Sequence, residues 1–186
     1  MRILGIDPGS AATGYGAVEL AGKGAAGGLV HVAHGVLRID RSADTSQRLA
    51  SLHAELRRVI DEVQPDVCAI ERIFVAANAR SALVLGQARG VALAALGEAG
   101  RPVHEISARE VKKALVGNGG ATKAQVQAMV KRLLELPKVP PADASDALAV
   151  AISQAHAGKL TNLGMRSGRR RRRTSLRAHF AAKGIT

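Results

Sequence analysis

Four acidic residues in this sequence could together form a catalytic or metal-binding site. Asp7 and Glu71 each end a short apolar run, and Asp143 and Asp146 stand three residues apart. A spacing of three places both aspartates on one face of a helix. If the four carboxylates converge, their mutual repulsion keeps some of them protonated, and bound divalent cations remove that conflict. The sequence therefore predicts a metal site made of carboxylates.

The available ligand types favour Mg²⁺ or Mn²⁺ over zinc. The single cysteine, Cys68, lies in an apolar run, and the six histidines show no spacing typical of metal ligands. Carboxylate oxygens are the ligands that hard divalent cations prefer. A cluster of this kind can hold two ions roughly 4 Å apart, one activating water and one stabilising the leaving oxygen of a phosphodiester. We therefore expect phosphodiester hydrolysis with two Mg²⁺ ions per active site, Mn²⁺ being the alternative.

Taken singly, most of these acids have a simpler explanation. Asp7 or Glu71 alone could be a surface acid at the end of a strand, and Asp143 in a first helical turn complements the helix dipole. Asp146 is harder to explain in this way, because the predicted helix around it is apolar on nearly all sides. A buried helix that carries a carboxylate needs a partner for it.

The elements that must position these acids follow an α/β pattern. Apolar runs predict five strands, at residues 2–7, 14–20, 29–39, 67–71 and 102–106. Helical periodicity predicts five helices, at residues 44–63, 78–97, 107–116, 122–135 and 142–157. Together they predict one mixed five-stranded sheet flanked by helices on both sides. If the strands that end in Asp7 and Glu71 are parallel neighbours, the two acids lie side by side at the carboxyl edge of the sheet, where ligands usually bind.

Charge is concentrated at the C-terminal end of the chain. The net charge is +12, and eight of the 27 Lys and Arg residues, with no acid among them, lie between Arg166 and the end, so the rest of the chain has a net charge of about +4. We expect a domain at residues 1–158 and a basic, disordered tail at residues 159–186. A basic arm indicates a nucleic-acid partner, because Lys and Arg replace the counterions of phosphates. A solvated tail that aids solubility is the alternative.

Targeting and redox features are absent from the sequence. No signal-peptide pattern opens the chain, and no apolar stretch approaches the length of a membrane span. A single cysteine excludes a disulfide framework. We therefore expect a cytoplasmic protein with no membrane partner.

Five motifs resemble a known family, the RuvC-type Holliday junction resolvases. They are Ile6-Asp-Pro-Gly-Ser10, Thr13-Gly-Tyr-Gly16, Ala69-Ile-Glu71, Ser81-Ala-Leu-Val-Leu-Gly-Gln-Ala-Arg-Gly90 and Ala142-Asp-Ala-Ser-Asp-Ala-Leu-Ala149. Their order and spacing match the family from residue 1 to about residue 157. The resemblance implies an RNase H-like fold and a homodimer that nicks two opposed strands of a four-way DNA junction, leaving 5′-phosphate and 3′-hydroxyl ends. The family's metal-binding quartet falls on the four acids above. Its third position is His in some members and is Asp143 here.

The same resemblance implies roles for several other residues. Phe74 matches the residue that wedges into the junction, where an aromatic ring can stack on an unpaired base; a hydrophobic contact that closes its loop is the alternative. Lys112 and Lys123 fall where the family has basic residues near the scissile phosphate, so stabilisation of transition-state charge is expected of them. Arg80 and Arg89 are candidate phosphate contacts.

Small residues in the second predicted helix suggest a close packing surface. Gly86 and Gly90 each cost up to about 1 kcal/mol relative to Ala in a helix, so packing should compensate. The resemblance implies dimerisation through this helix, and packing against the chain's own sheet is the alternative. A branch-migration motor of the RuvA and RuvB type is a further partner that the resemblance suggests.

Three other functions compete with junction resolution. A nuclease for RNA–DNA hybrids would share the fold and differ in substrate. A non-catalytic DNA-binding protein that uses the basic tail would be favoured by a missing carboxylate, yet all four are present. The actin and sugar-kinase fold needs a second domain and a second Gly-rich phosphate loop, which this chain lacks.

Overall fold

A computed structural model describes residues 1–21, 28–40, 42–72 and 79–162. In chain order the elements are β1 (Arg2–Pro8), β2 (Ala12–Leu20), β3 (Leu29–Arg38), α1 (Thr45–Val63), β4 (Val67–Arg72), α2 (Ala79–Glu98), β5 (Val103–Ser107), α3 (Ala108–Val116), α4 (Lys123–Leu133) and α5 (Ala142–Asn162). Each predicted strand and helix is present, with ends that shift by a few residues. None of the helices in these described ranges is long and apolar enough to cross a membrane.

The sheet places β1 and β4 side by side at its centre. Its strand order is β3-β2-β1-β4-β5. The first three strands form antiparallel pairs, whereas β4 runs parallel to β1 and to β5. Because Ile6 of β1 pairs with Ile70 of β4, the next residues, Asp7 and Glu71, are neighbours at the same carboxyl edge. The predicted adjacency of the two acids is confirmed.

Two helical layers cover the two faces of the sheet. On one face, α1 and α2 bury Leu56 and Leu96 against Leu4 and Ile6 of β1. On the other face, α5 packs across the sheet, and α3 and α4 pack on the outside of α5. Residues 147–152 of α5 are all at most 1% exposed, so this helix is buried on every side, as its apolar sequence predicts.

Glycines in the sheet let α5 approach the backbone of the strands directly. A Cβ atom added to Gly14 would lie 2.0 Å from the carbonyl oxygen of Asp143, and one added to Gly16 would lie 2.6 Å from the backbone nitrogen of Leu148. Gly14 is also the cross-strand neighbour of Asp7. The first turn of α5 therefore rests on the strand beside Asp7, which fixes the height of Asp143 above the sheet.

The last helix continues beyond the predicted domain boundary. α5 extends to Asn162, the last described residue and four residues after Gly158, so the boundary at residue 158 falls inside a helix. The rest of the predicted basic tail, residues 163–186, lies outside the described residues, and its role stays a prediction.

Candidate active site

The structure brings the four predicted acids together at one edge of the sheet. β1 supplies Asp7, β4 supplies Glu71, and the first two turns of α5 supply Asp143 and Asp146. The start of α5 is held by Ser145, whose hydroxyl donates to the carbonyl of Pro140 at 3.1 Å and whose N–H donates to the carbonyl of Pro141 at 2.8 Å. The negative charges of the other three acids all act on Asp7.

Asp7 is the most perturbed of the four acids. Burial is the main cause that raises the pKa of its carboxyl, and repulsion from Glu71, Asp146 and Asp143 adds to the rise, so that the pKa reaches about 8. The hydrogen bond between the two side chains raises the pKa of Asp7 and lowers that of Glu71, so a protonated Asp7 donates to a charged Glu71. The cluster therefore carries more negative charge than its surroundings neutralise, and it retains a proton at neutral pH.

Glu71 lies between the acids and two lysines. Burial is the main cause that raises its pKa, followed by repulsion from Asp146, while the hydrogen bond from Asp7 and the charges of Lys123 and Lys112 lower the pKa. The net direction is upward. Even with two cations nearby, charging this carboxylate in the partly buried site costs free energy.

Lys123 provides the one direct ion pair of the cluster within the described residues. Its ammonium nitrogen lies 2.6 Å from Oδ2 of Asp146, and this hydrogen bond is the main cause that raises the pKa of Lys123. Thr122 places Lys123 at the start of α4 through a capping box: its side chain accepts from the N–H of Gln125, and the Gln125 side chain accepts from the N–H of Thr122. A lysine thus holds an oxygen that a metal ion would use.

Lys112 reaches the same site from α3. A second capping box, between Ser107 and Glu110, fixes the start of that helix directly after β5. Lys112 and Lys123 line a cavity of about 230 Å³ together with Glu71, Asp146 and the apolar side chains Ala108, Val111, Val126 and Ala149. The structure therefore places both predicted lysines beside the acids, and their catalytic role stays a prediction.

The four carboxylates fit a hard divalent cation once two contacts within the cluster, Asp7 with Glu71 and Asp146 with Lys123, are replaced by contacts to the metal. Within the described ranges, no three Asp, Glu, His or Cys side chains already surround a metal position. Asp7 instead bonds to Glu71, and Asp146 pairs with Lys123. All four donors are carboxylates, and burial together with their mutual repulsion raises the pKa of Asp7. Loss of the Asp7 proton and release of Asp146 would give an all-oxygen site of the kind that Mg²⁺ binds.

The structure places the remaining predicted site residues unevenly. Phe74 lies in residues 73–78, outside the described residues, and so does the side chain of Arg80, although its backbone begins α2. Arg89 contacts the end of β4. Its Nε donates to the carbonyl of Glu71 at 3.4 Å, and its guanidinium pairs with Glu105. Its predicted contact with a phosphate stays a prediction.

Gly86 and Gly90 do not pack against the chain's own sheet. Within the described ranges, a Cβ atom added to either would meet nothing within 4 Å, and nearby Leu83 is 64% exposed. The alternative of packing against the chain's own sheet is therefore wrong, and none of the described residues covers this part of α2.

Sequence reasoning missed two positioning features. The close approach of Asp143 to Gly14 was not predicted, although Gly14 and Gly16 alternate along β2 and so share one face. The contact from Arg89 to the end of β4 had no signal in the sequence, because the direction of a helical arginine depends on how the helix packs.

This topology, with acids at the ends of two central parallel strands and on the helix packed across them, is that of the RNase H-like nucleases. The sequence matches the family described as crossover junction endodeoxyribonuclease RuvC over residues 3–154. It is 50% identical to the RuvC of Geobacter sulfurreducens over 163 residues, covering 88% of this chain and 97% of that protein. The chain belongs to the RuvC family.

Solved structures agree with this assignment. Thermus thermophilus RuvC superposes with a TM-score of 0.77 at 33% identity, covering 88% of this chain and 97% of that one. T. thermophilus RuvC in complex with a Holliday junction substrate gives a TM-score of 0.76 at 30% identity with the same coverage.

Proposed function

We propose that this chain is an endonuclease that resolves four-way DNA junctions by paired, symmetric nicks in two opposed strands. The observation that carries the proposal is the convergence of four carboxylates, from β1, β4 and α5, at one edge of an RNase H-like sheet. The relation to a RuvC that has been solved with a Holliday junction supports the choice of substrate. The proposal places the enzyme in the cytoplasm, in recombination and repair of the cell's DNA.

Asp7, Glu71, Asp143 and Asp146 are the proposed ligands of two Mg²⁺ ions, with Mn²⁺ as the alternative. When bound, the ions supply an activated water and stabilise the leaving oxygen of the phosphodiester. The protein holds the ligands on rigid elements: two central strands and a helix seated on glycines. This leaves little freedom for the acids to move apart despite their repulsion.

The two lysines are proposed to act on the substrate phosphate. Lys112 and Lys123 line the cavity next to Glu71 and Asp146, where charge would develop on a scissile phosphate held by the acids. Apolar walls on the α3, α4 and α5 side limit water there and strengthen these interactions. Arg80 is proposed as a further phosphate contact, and Phe74 as the ring that stacks on an unpaired base at the junction.

Paired cutting requires two copies of the site, so we propose a homodimer. The free surface of α2, with exposed Leu83 and the open backbone at Gly86 and Gly90, is the proposed contact between the copies. The basic tail is proposed to bind DNA or a branch-migration motor of the RuvA and RuvB type.

The proposal is tested by cleavage of a four-way DNA junction, with a linear duplex and an RNA–DNA hybrid of the same sequence as competing substrates. We expect paired nicks in the junction alone, abolished by EDTA and by Asp7→Asn. Asp61→Asn is the matched control, because it removes the same charge from an exposed residue near the end of α1, at the opposite edge of the sheet. Preferential cutting of the hybrid would reassign the substrate, and junction binding without cutting in either metal would make the protein a binding module.

A further inference from the structure

A second polar pocket lies at the same edge of the sheet as the acids, on the opposite face. We name it the Arg48 pocket. Its volume is only about 10 Å³, so a phosphate would lie at its mouth. Among the described residues it is lined by four polar and four apolar side chains, namely Ser10, Thr45, Arg48, Gln87, Ile39, Leu49, Val84 and Ala88. The lysines approach the acids from the α3–α4 side, whereas this pocket is built from the first turns of α1 and from α2.

The pocket lies close to the catalytic edge along the chain. Ser10 follows Asp7 by three residues, which can span at most about 11 Å. Ile39 follows the end of β3, and its N–H donates to the carbonyl of Ala11 at 3.3 Å, which ties the turn after β1 to the pocket. A DNA strand that lies across Asp7 therefore passes within a few nucleotides of the Arg48 pocket.

Arg48 has an unused donor in this pocket. Its Nε is buried and has no hydrogen-bond partner within the part of the chain that the structure describes. Buried donors are nearly always paired, and an unpaired one costs about 1–3 kcal/mol. Because this nitrogen is closed to solvent, a ligand reaches it only after the side chain shifts. Among the described residues, no ion pair holds the Arg48 side chain in its present position.

The surroundings of Arg48 leave its charge largely unneutralised. Among the described residues, no acid lines the pocket, and the first turn of α1 contains no acidic residue. Asp40 is the nearby carboxylate, and hydrogen bonds from Ser42 followed by the charge of Arg48 lower the pKa of Asp40. Oδ1 of Asp40, however, accepts from the N–H and the hydroxyl of Ser42, at 2.9 and 2.7 Å.

We propose that the Arg48 pocket binds a backbone phosphate of the DNA strand that runs past the active site. A guanidinium presents paired donors that match phosphate oxygens. The exposed hydroxyls of Ser10 and Thr45 and the amide of Gln87 add neutral donors around it. The inference rests on the proposed function, since it takes DNA as the substrate. It means that the strand is held on both faces of the sheet edge, by Arg48 on one side and by the two lysines on the other.

The test compares Arg48→Gln with Arg57→Gln, which removes the same charge from an exposed part of α1 where Arg57 pairs with Glu98. Junction affinity is measured across a range of salt concentrations in EDTA, with circular dichroism and thermal melting as checks of folding. For Arg48→Gln we expect affinity to fall about tenfold. The slope of log K against log salt should become shallower by about 0.9, the value for one phosphate. KM should rise with little change in kcat, because the contact is equal in the ground and transition states.

Equal affinities and salt slopes for the two variants would overturn the inference. So would a loss of thermal stability in Arg48→Gln with an unchanged slope, since that is the result of a structural role. Arg48→Lys keeps the positive charge but removes the paired donors of the guanidinium. It should therefore keep the wild-type salt dependence and bind the junction less tightly. An unchanged affinity in Arg48→Lys would refute recognition through the paired donors.

A separate arm distinguishes DNA from a free anion. If inorganic phosphate raises the melting temperature of the wild type but not of Arg48→Gln, while junction binding is the same in both, the pocket is a free-phosphate site and the DNA assignment is wrong. The proposed function can fail separately from this inference. If the wild type cuts no junction but its DNA binding still depends on Arg48, the assignment of the Arg48 pocket stands and the proposed nuclease activity is wrong.

Discussion

Replacing Asp7 with asparagine should make the metal-free protein more stable while it abolishes cleavage. The pKa of Asp7 is about 8 in the folded protein against an ordinary value of 3.8. Below pH 3.8 the carboxyl of Asp7 is protonated in both the folded and the unfolded chain, so its ionisation does not change the free energy of unfolding. As the pH rises from 3.8 to 8, the unfolded chain loses this proton and the folded chain retains it, so stability falls by about 1.4 kcal/mol per pH unit. At pH 7 the loss amounts to about 4 kcal/mol.

Asparagine is neutral and nearly the same shape as the protonated acid, and its amide can donate to Glu71. Asp7→Asn should therefore be more stable than the wild type by up to about 4 kcal/mol at pH 7, which is about 10 °C in melting temperature for a chain of this size. The two proteins should converge near pH 4. The measurement is urea unfolding followed by circular dichroism at pH 4, 5.5 and 7 in EDTA, with Asp61→Asn as the matched control.

Added Mg²⁺ should then narrow the gap at pH 7, because it stabilises the wild type and has one ligand fewer in the variant. A variant that is less stable than the wild type at pH 7, or a difference that does not change between pH 4 and pH 7, would show that burial and repulsion do not raise the pKa of Asp7 in this way.

Three other perturbations test separate parts of the structure. Lys123→Ala should tighten the binding of Mn²⁺ to the DNA-free protein, measured by calorimetry, because a carboxylate oxygen of Asp146 is released. Lys112→Ala removes a nearby charge that forms no ion pair with the described acids, so it should have a smaller effect. Equal effects of the two variants would show that the ion pair of Lys123 does not compete with the metal. Gly16→Ala should destabilise the protein by about 3 kcal/mol in urea unfolding, because the new Cβ atom would lie 2.6 Å from the backbone of α5, and a wild-type midpoint would contradict the close packing. Truncation after Asn162 should weaken junction binding and give it a shallower salt dependence, since eight basic residues are removed; an unchanged slope would exclude the tail from DNA binding.

The sheet and its acids could be predicted from the sequence because each depends on local patterns. Asp7 and Glu71 end buried apolar runs, and the run that surrounds Asp146 is apolar on all sides, so burial and direction follow from residue order alone. The sequence did not predict that β1 and β4 pair in parallel; the prediction assumed it. The structure shows this pairing, with Ile6 of β1 opposite Ile70 of β4.

Contacts between distant elements could not be predicted in the same way. The ion pair of Lys123 with Asp146 depends on where the start of α4 lies relative to α5, and the orientation of Arg89 depends on the packing of α2 against β4. The orphaned donor of Arg48 is likewise a property of the assembled pocket. The continuation of α5 to Asn162 was missed because polar residues replace the apolar pattern there, although the helix itself does not end.

The distribution of the acids along the chain also determines when a copy of this protein can become active. One carboxylate comes from the first strand and two come from the last helix, which is the centre of an entire hydrophobic layer. Synthesis proceeds from the N-terminus, so a growing chain does not have all four proposed metal ligands until residue 146 has been made. A chain that is interrupted or trimmed before α5 loses those ligands and the core that orients the others. Because α5 comes last among the described elements, a fragment that stops before it is expected to have no nuclease activity.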